Sequence, residues 1–78
     1  MKVFDSKIFA VRLSKLIDEH KITKYKLAKD LGVNKQTVIF WCESVNIPKI
    51  NYLHDIAVYF DVSSDYLIGL EDENGNRI

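Results

Sequence analysis

The sequence predicts an all-α fold of five short helices, and three features carry that expectation. Apolar residues recur at spacings of three and four, whereas long strictly alternating stretches, the mark of half-buried strands, are absent. Three glycines and one proline leave few breaks in a chain of 78 residues. Short polar residues that can cap a helix stand where one apolar stripe stops and the next begins.

Phe9, Leu13, Leu16, Ile17 and His20 share one face of a first helix over about 6–20, with Ser6 as its expected cap. Thr23 then caps a short second helix, about 24–31, whose buried stripe is Leu27, Ala28 and Leu31. Gly32 follows, the residue best able to take a left-handed conformation after a helix end. Asn34 can cap a third helix over about 35–42, and residues 43–49 form a loop with Pro48 near its exit. Ile50, Leu53, Ile56, Ala57 and Phe60 make the inner stripe of a fourth helix. Ser63 caps a fifth that runs to about residue 70, with Asp65 in its first turn, where a carboxylate suits the helix dipole. The tail EDENGNRI is polar and has no apolar face. The expected organisation is one domain over 1–70 and a mobile acidic tail over 71–78.

Composition narrows the function classes. Hydrophobic content of 47% and charged content of 28% are ordinary for a soluble globular domain. No apolar run approaches the roughly 20 residues that span a bilayer, and the start, MKVFDSKIF, lacks a signal-peptide layout. A single cysteine, Cys42, cannot form an internal disulfide, which fits a cytoplasmic protein. Net charge is zero but segregated: residues 1–49 hold ten basic against five acidic side chains, residues 50–78 one basic against six acidic. A basic first part suits a polyanionic partner; an accidental segregation on a solvated surface is the competing reading.

The informative stretch is residues 23–42. Two short helices meet at a tight turn containing Gly32; Ala28 is small enough for a crossing helix to approach; Val33 and Val38 can fill the angle, and Trp41, three residues after Val38, can plug the core beneath. These are the physical requirements of a helix-turn-helix, in which one helix crosses a phosphate backbone and the next presents its first turn to the major groove.

The stretch ITKYKLAKDLGVNKQTVIFW, followed by PKINYLHDIAVYFDVSSDYLIGL, resembles the helix-turn-helix domain of phage repressors, Cro proteins and XRE-type transcriptional regulators. The similarity covers roughly residues 8–70. Its most specific points are Ala28, Gly32, Val38 and Trp41 at fixed spacing and the closing Val62-Ser63, Asp65-Tyr66-Leu67 and Gly69. The resemblance implies a compact, lambda-repressor-like five-helix domain that binds double-stranded DNA sequence-specifically as a small transcriptional regulator. It places base reading on Asn34, Lys35, Gln36, Thr37 and, one turn later, Phe40. It places phosphate contacts on Lys24 and on Asn46 and Lys49 of the following loop, while the helix N-terminus at Thr23 and the charges of Lys26 and Lys29 suit the same backbone. It also implies a homodimer on a pseudo-palindromic site with half-sites about one helical turn apart. No cofactor or metal is implied.

The chemistry of the side chains agrees. Gln36 can bond bidentately to adenine, Lys35 can donate to guanine, and Asn34 can either cap its helix or reach a base. Val38 and Trp41 account for the inward stripe of the third helix, which leaves Ile39 and Phe40 in excess. Phe40 lies against thymine methyls, or both residues join Val45 and Ile47 as an antitoxin-like or antirepressor-like protein-binding patch, or both are half-buried without a specific role. Cys42 and Ser44 stand where relatives commonly carry Glu and Gly, and Val45 and Ile47 occupy loop positions that are often basic. Tyr52 and Tyr59, seven residues apart, together with Tyr66 and Ile68, either contribute to a dimer surface or shield the edge of the core.

An enzyme reading finds no constellation. His20 and His54 have no second ligand at metal spacing, and His54 and Asp55 are adjacent helix residues expected to point apart. Cys42 reads as a small hydrophobe. There is no glycine-rich phosphate loop, and Asp61 and Asp65 lack the ligand ladder of a calcium site.

Overall fold

The structure, a computed structural model, describes residues 3–78. Its helices are α1 (Ser6–Glu19), α2 (Lys24–Leu31), α3 (Lys35–Cys42), α4 (Ile50–Phe60) and α5 (Ser64–Ile68). Among the described residues there is no strand, only one antiparallel bridge between Glu71 and Arg77. No helix is long and apolar enough to cross a membrane.

Three of the expected caps form. The Thr23 hydroxyl accepts from the Lys26 amide at 3.0 Å, Asn34 Oδ1 from the Thr37 amide at 2.8 Å, and the Ser63 hydroxyl from the Tyr66 amide at 3.0 Å. The fourth expectation is corrected: Asp5, not Ser6, caps α1, its carboxylate accepting from the Lys7 amide at 2.9 Å. Adjacent residues that can both cap are separated only by backbone angle, and Asp5 is the extended one. Ser6 is already helical, and its hydroxyl pairs with that of Ser44 at 2.6 Å.

The helix ends share one device. After α2, the Gly32 amide donates to Lys29 O and the Val33 amide to Ala28 O, with Gly32 at φ 76. This is a Schellman ending, which satisfies carbonyls that would otherwise lack partners. The same pair of bonds closes α1 at Lys21 (φ 53), α3 at Ser44 (φ 60), α4 at Asp61 (φ 55) and α5 at Gly69 (φ 89). Every helix therefore ends on a left-handed residue that turns the chain out of the helix.

Each helix contributes one completely buried aliphatic side chain to a common centre: Leu13, Leu27, Val38, Ile56 and Leu67. Phe9, Leu16, Ile17, Ala28, Trp41 and Phe60 surround them. At about 1.5–3 kcal/mol for burying one large apolar side chain, this cluster is the main source of stability. Two expected core positions differ. Ile50 is 84% exposed, because it opens the first turn of α4, beyond the edge of the core. His20 is exposed at the end of α1, meeting only the edge of Phe60 at 4.9 Å and bonding Leu16 O through its ring nitrogen. Leu31, Leu53 and Ala57 are half-buried.

The last eight residues make a turn that their composition did not suggest. The Asp72 carboxylate accepts the amides of Asn74 and Asn76, each at 2.9 Å, and the Ile78 amide donates to Leu70 O. Arg77 pairs with Asp65 at 2.6 Å, and the Ser63 hydroxyl donates to Glu71 at 2.7 Å. From α1, Arg12 donates to Tyr66 O and, at 2.7 Å, to Glu71 O, while its guanidinium lies 4.5 Å from the centre of the Tyr66 ring.

Candidate nucleic-acid interface

The corner between α2 and α3 is built from the inside. Ala28, Val38 and Trp41 are 2%, 0% and 3% exposed, so α3 is seated on α2 and α1 by its inner face alone. Seating that face turns the start of α3 to solvent: Asn34, Lys35 and Gln36 are all exposed, and Thr37 is half-buried. Asn34 Oδ1 accepts twice from Thr37, from its amide at 2.8 Å and its hydroxyl at 2.9 Å. Among the described residues Lys35 and Gln36 have no side-chain hydrogen bond. The question of what Asn34 does is thus answered for its oxygen, which caps.

The expected phosphate residues fall into two groups. Thr23, Lys24, Lys26 and Lys29 lie along α2, which packs on α3. Asn46 and Lys49 are exposed in the loop past the other end of α3, whose eight residues span about 12 Å at 1.5 Å per residue. That loop is folded back, with the amides of Val45 and Asn46 donating to Phe40 O at 3.0 and 3.4 Å. The structure thus packs the helix that carries the first group against α3 and leaves Asn46 and Lys49 past the end of α3.

Lys26 is committed within the chain. Its ammonium lies 3.1 Å from Asp30 Oδ1, and the Tyr59 hydroxyl donates to Asp30 Oδ2 at 2.7 Å. The Tyr59 hydroxyl, and after it Lys26, hold the Asp30 carboxyl below its ordinary range, and the same bond raises the Tyr59 phenol. Half of this arrangement is local, since Lys26 and Asp30 are four apart on one helix. Its other half comes from α4, 29 residues away.

Tyr25, 61% exposed between Lys24 and Lys26, was not singled out from the sequence. Its signal was an aromatic residue on the polar face of a short helix. Phe40 and Ile39 are half-buried, and Val45 is 60% exposed. Ile47 borders a cavity of about 180 Å³ with Phe4, Phe9, Pro48, Leu53 and Ile68. The tyrosines are engaged within the chain: Tyr52 against Trp41 at 5.9 Å, Tyr59 against Phe60 at 4.9 Å, and Tyr66 beneath Arg12.

His54 and Asp55 do meet, at 2.9 Å, contrary to the expectation that neighbours on a helix point apart. Both side chains are in open solvent, free to bend towards each other. Cys42 is half-buried, and burial pushes its thiol up, away from the reactive thiolate. Among the described residues no group of three His, Cys, Asp or Glu side chains could hold a metal ion.

Comparison with known proteins agrees with this geometry. Residues 13–67 match the helix-turn-helix family. The chain is 32% identical over 71 residues to the uncharacterized HTH-type transcriptional regulator YobD of Bacillus subtilis, covering 91% of this chain and 63% of that protein. Among solved structures it is similar to the SOS-response transcriptional repressor LexA from Eubacterium rectale, with a TM-score of 0.80 and 32% identity over 99% of this chain and 82% of that one. It is also similar to a transcriptional regulator from Listeria innocua, with a TM-score of 0.79 and 32% identity over 92% of this chain and 64% of that one. The chain thus spans under two thirds of the length of YobD and of the Listeria regulator. A buried Ala28–Val38–Trp41 corner, a left-handed Gly32 and this set of similarities lead to one assignment: the chain belongs to the helix-turn-helix family of XRE-type, DNA-binding transcriptional regulators.

Proposed function

We propose that the chain binds double-stranded DNA sequence-specifically, as a small regulator of the phage-repressor type, with α3 in the major groove. The observation that carries this reading is the division of α3: Val38 and Trp41 are buried, while Asn34, Lys35 and Gln36 stand in solvent at its first turn. Base reading falls to those three and Thr37, with Phe40 against a thymine methyl one turn later. Thr23, Lys24 and Lys29 hold one stretch of phosphate backbone, and Asn46 and Lys49 hold another beyond the far end of α3. Lys26 joins the first group only by leaving Asp30.

The same reading includes a two-fold dimer, on a face other than the tyrosines. Ile50 and Val58, 84% and 67% exposed, border a cavity of about 520 Å³ that Leu53, Ala57, Val62 and Ile68 also line. A protrusion beside a hollow on one face suits a self-complementary contact.

Selection from a randomised duplex pool at two salt concentrations tests the proposal. The expected product is a palindromic site with half-sites about one helical turn apart, enriched more sharply at the higher salt as non-specific binding falls away. Folded protein that enriches no sequence at either salt overturns it.

A further inference from the structure

The hydrogen bonds at the start of α3 restrict which base edges it can read. Asn34 Oδ1 already accepts two hydrogens from Thr37. What Asn34 can still offer is its amide NH₂, a donor. The familiar bidentate pairing of an asparagine with adenine needs both atoms at once, the oxygen accepting from N6 and the nitrogen donating to N7. Asn34 cannot form it without giving up its cap. Lys35, the next residue, is also a donor only. Two neighbouring exposed side chains therefore seek acceptors, and guanine is the base whose major-groove edge offers two side by side, N7 and O6. Gln36 is exposed and its amide is uncommitted, so it alone in this turn keeps both a donor and an acceptor for adenine.

Resting on the proposed DNA-reading role, we infer that Asn34 and Lys35 together select guanine in each half-site, and that the adenine contact belongs to Gln36. Asn34 is then both cap and reader, with the two jobs divided between its oxygen and its nitrogen. Thr37 is restricted the opposite way: its hydroxyl hydrogen is spent on Asn34, so it can accept but not donate, and it makes no donated bond to a phosphate.

The test uses Asn34→Asp and Asn34→Ser. Both replacements cap helices well, and both remove the amide donor. Duplex selection with the wild-type chain is followed by affinity measurements on the selected site with single guanines replaced by 7-deazaguanine, which lacks the N7 acceptor. The expected result is one guanine position where the replacement weakens wild-type binding roughly five- to a hundredfold. Both variants should lose preference at that position, keep a thermal midpoint close to wild type and keep an adenine preference that Gln36→Ala removes. Preference at a position is the readout because the aspartate charge lowers affinity for any DNA.

Two results overturn the inference while leaving DNA reading intact. One is unchanged preference at every position in both variants, which makes Asn34 a cap and nothing more. The other is loss of an adenine rather than a guanine preference, which makes the oxygen a reader after all. Failure of the wild-type chain to select any sequence overturns the DNA-reading role itself, and this inference with it.

Discussion

Lys21, Ser44 and Asp61 occupy left-handed backbone at three of the five helix ends, where Gly32 and Gly69 serve the other two. An L-residue pays about 1–2 kcal/mol for that conformation, and aspartate pays less because its short polar side chain bonds locally. Lys21 is exposed and carries no compensating side-chain bond among the described residues. Lys21→Gly should therefore stabilise the fold by about 0.5–1 kcal/mol, after glycine's freer unfolded chain takes back part of the gain. Ser44→Gly should gain less, since it also removes the 2.6 Å hydroxyl pair with Ser6. Urea denaturation of the two variants side by side checks the order, and equal gains would mean that the serine pair contributes nothing. Asp30 gives a pH prediction. Its carboxyl is held below its ordinary value of 3.8, first by the Tyr59 hydroxyl and then by Lys26. A lowered carboxylate contributes stability that is complete above the ordinary value and drains as pH falls through the lowered one. Tyr59→Phe removes the largest cause, so an NMR titration of Asp30 in that variant should move up towards 3.8. An unmoved titration would show that the bond is not formed in solution.

The two glycine turns look alike in backbone angle but differ in surroundings, and this separates conformational strain from crowding. A Cβ on Gly32 would meet nothing within 4 Å, whereas one on Gly69 would lie 3.2 Å from Ile8 Cδ1. Gly32→Ala should cost about 0.5–1 kcal/mol, the backbone penalty less what alanine's stiffer unfolded chain returns. Gly69→Ala should cost more, because Ile8 must also give way where α1 meets α5. Equal losses in chemical denaturation would show that Ile8 yields freely. The helices themselves were largely legible in the sequence, because Thr23, Asn34 and Ser63 are short polar side chains directly ahead of apolar stripes. What periodicity could not supply was the extent of the core along each helix. Ile50 fits the stripe of α4 but stands one turn before the core begins, and only the placement of α4 against the rest decides that. Likewise Ser6 was the expected cap of α1, and only the extended backbone at Asp5 shows that the cap stands one residue earlier. Partners far apart in sequence were equally hidden: Arg12 reaches Tyr66 and Glu71, 54 and 59 residues on, and Tyr59 reaches Asp30 across 29. The exposed start of α3 was legible because Asn34, Lys35 and Gln36 are contiguous and Asn34 reads as a cap, but the second bond that Asn34 accepts from the Thr37 hydroxyl and the tie of Lys26 to Asp30 were not.

Across the whole molecule, charge and shape divide the labour of binding. Residues 1–49 carry a surplus of five positive charges and residues 50–78 an equal negative surplus, so a polyanion is attracted to one part and repelled by the other. On the proposed DNA-binding reading, that asymmetry orients the domain before any base is read. It also separates two kinds of substitution. Each phosphate contact released adds roughly 0.9 to the slope of log affinity against log salt concentration, whereas an uncharged base contact adds almost nothing to it. Lys24→Ala should therefore weaken binding to selected and random duplexes alike and flatten the slope by about 0.9. Gln36→Ala should leave the slope unchanged, cost about 1–3 kcal/mol on the selected site alone, and relax preference at one base pair. Asp30→Asn should act opposite to Lys24→Ala. It removes the charge that holds Lys26 at 3.1 Å, frees an ammonium for phosphate, and steepens the slope while strengthening random binding more than it strengthens selectivity. Titrating all three variants against both duplexes over a salt series separates these outcomes. A Gln36→Ala variant that flattens the slope would mean that the first turn of α3 meets the backbone and not the bases. An Asp30→Asn variant with the wild-type slope would mean that Lys26 stays away from phosphate even when released.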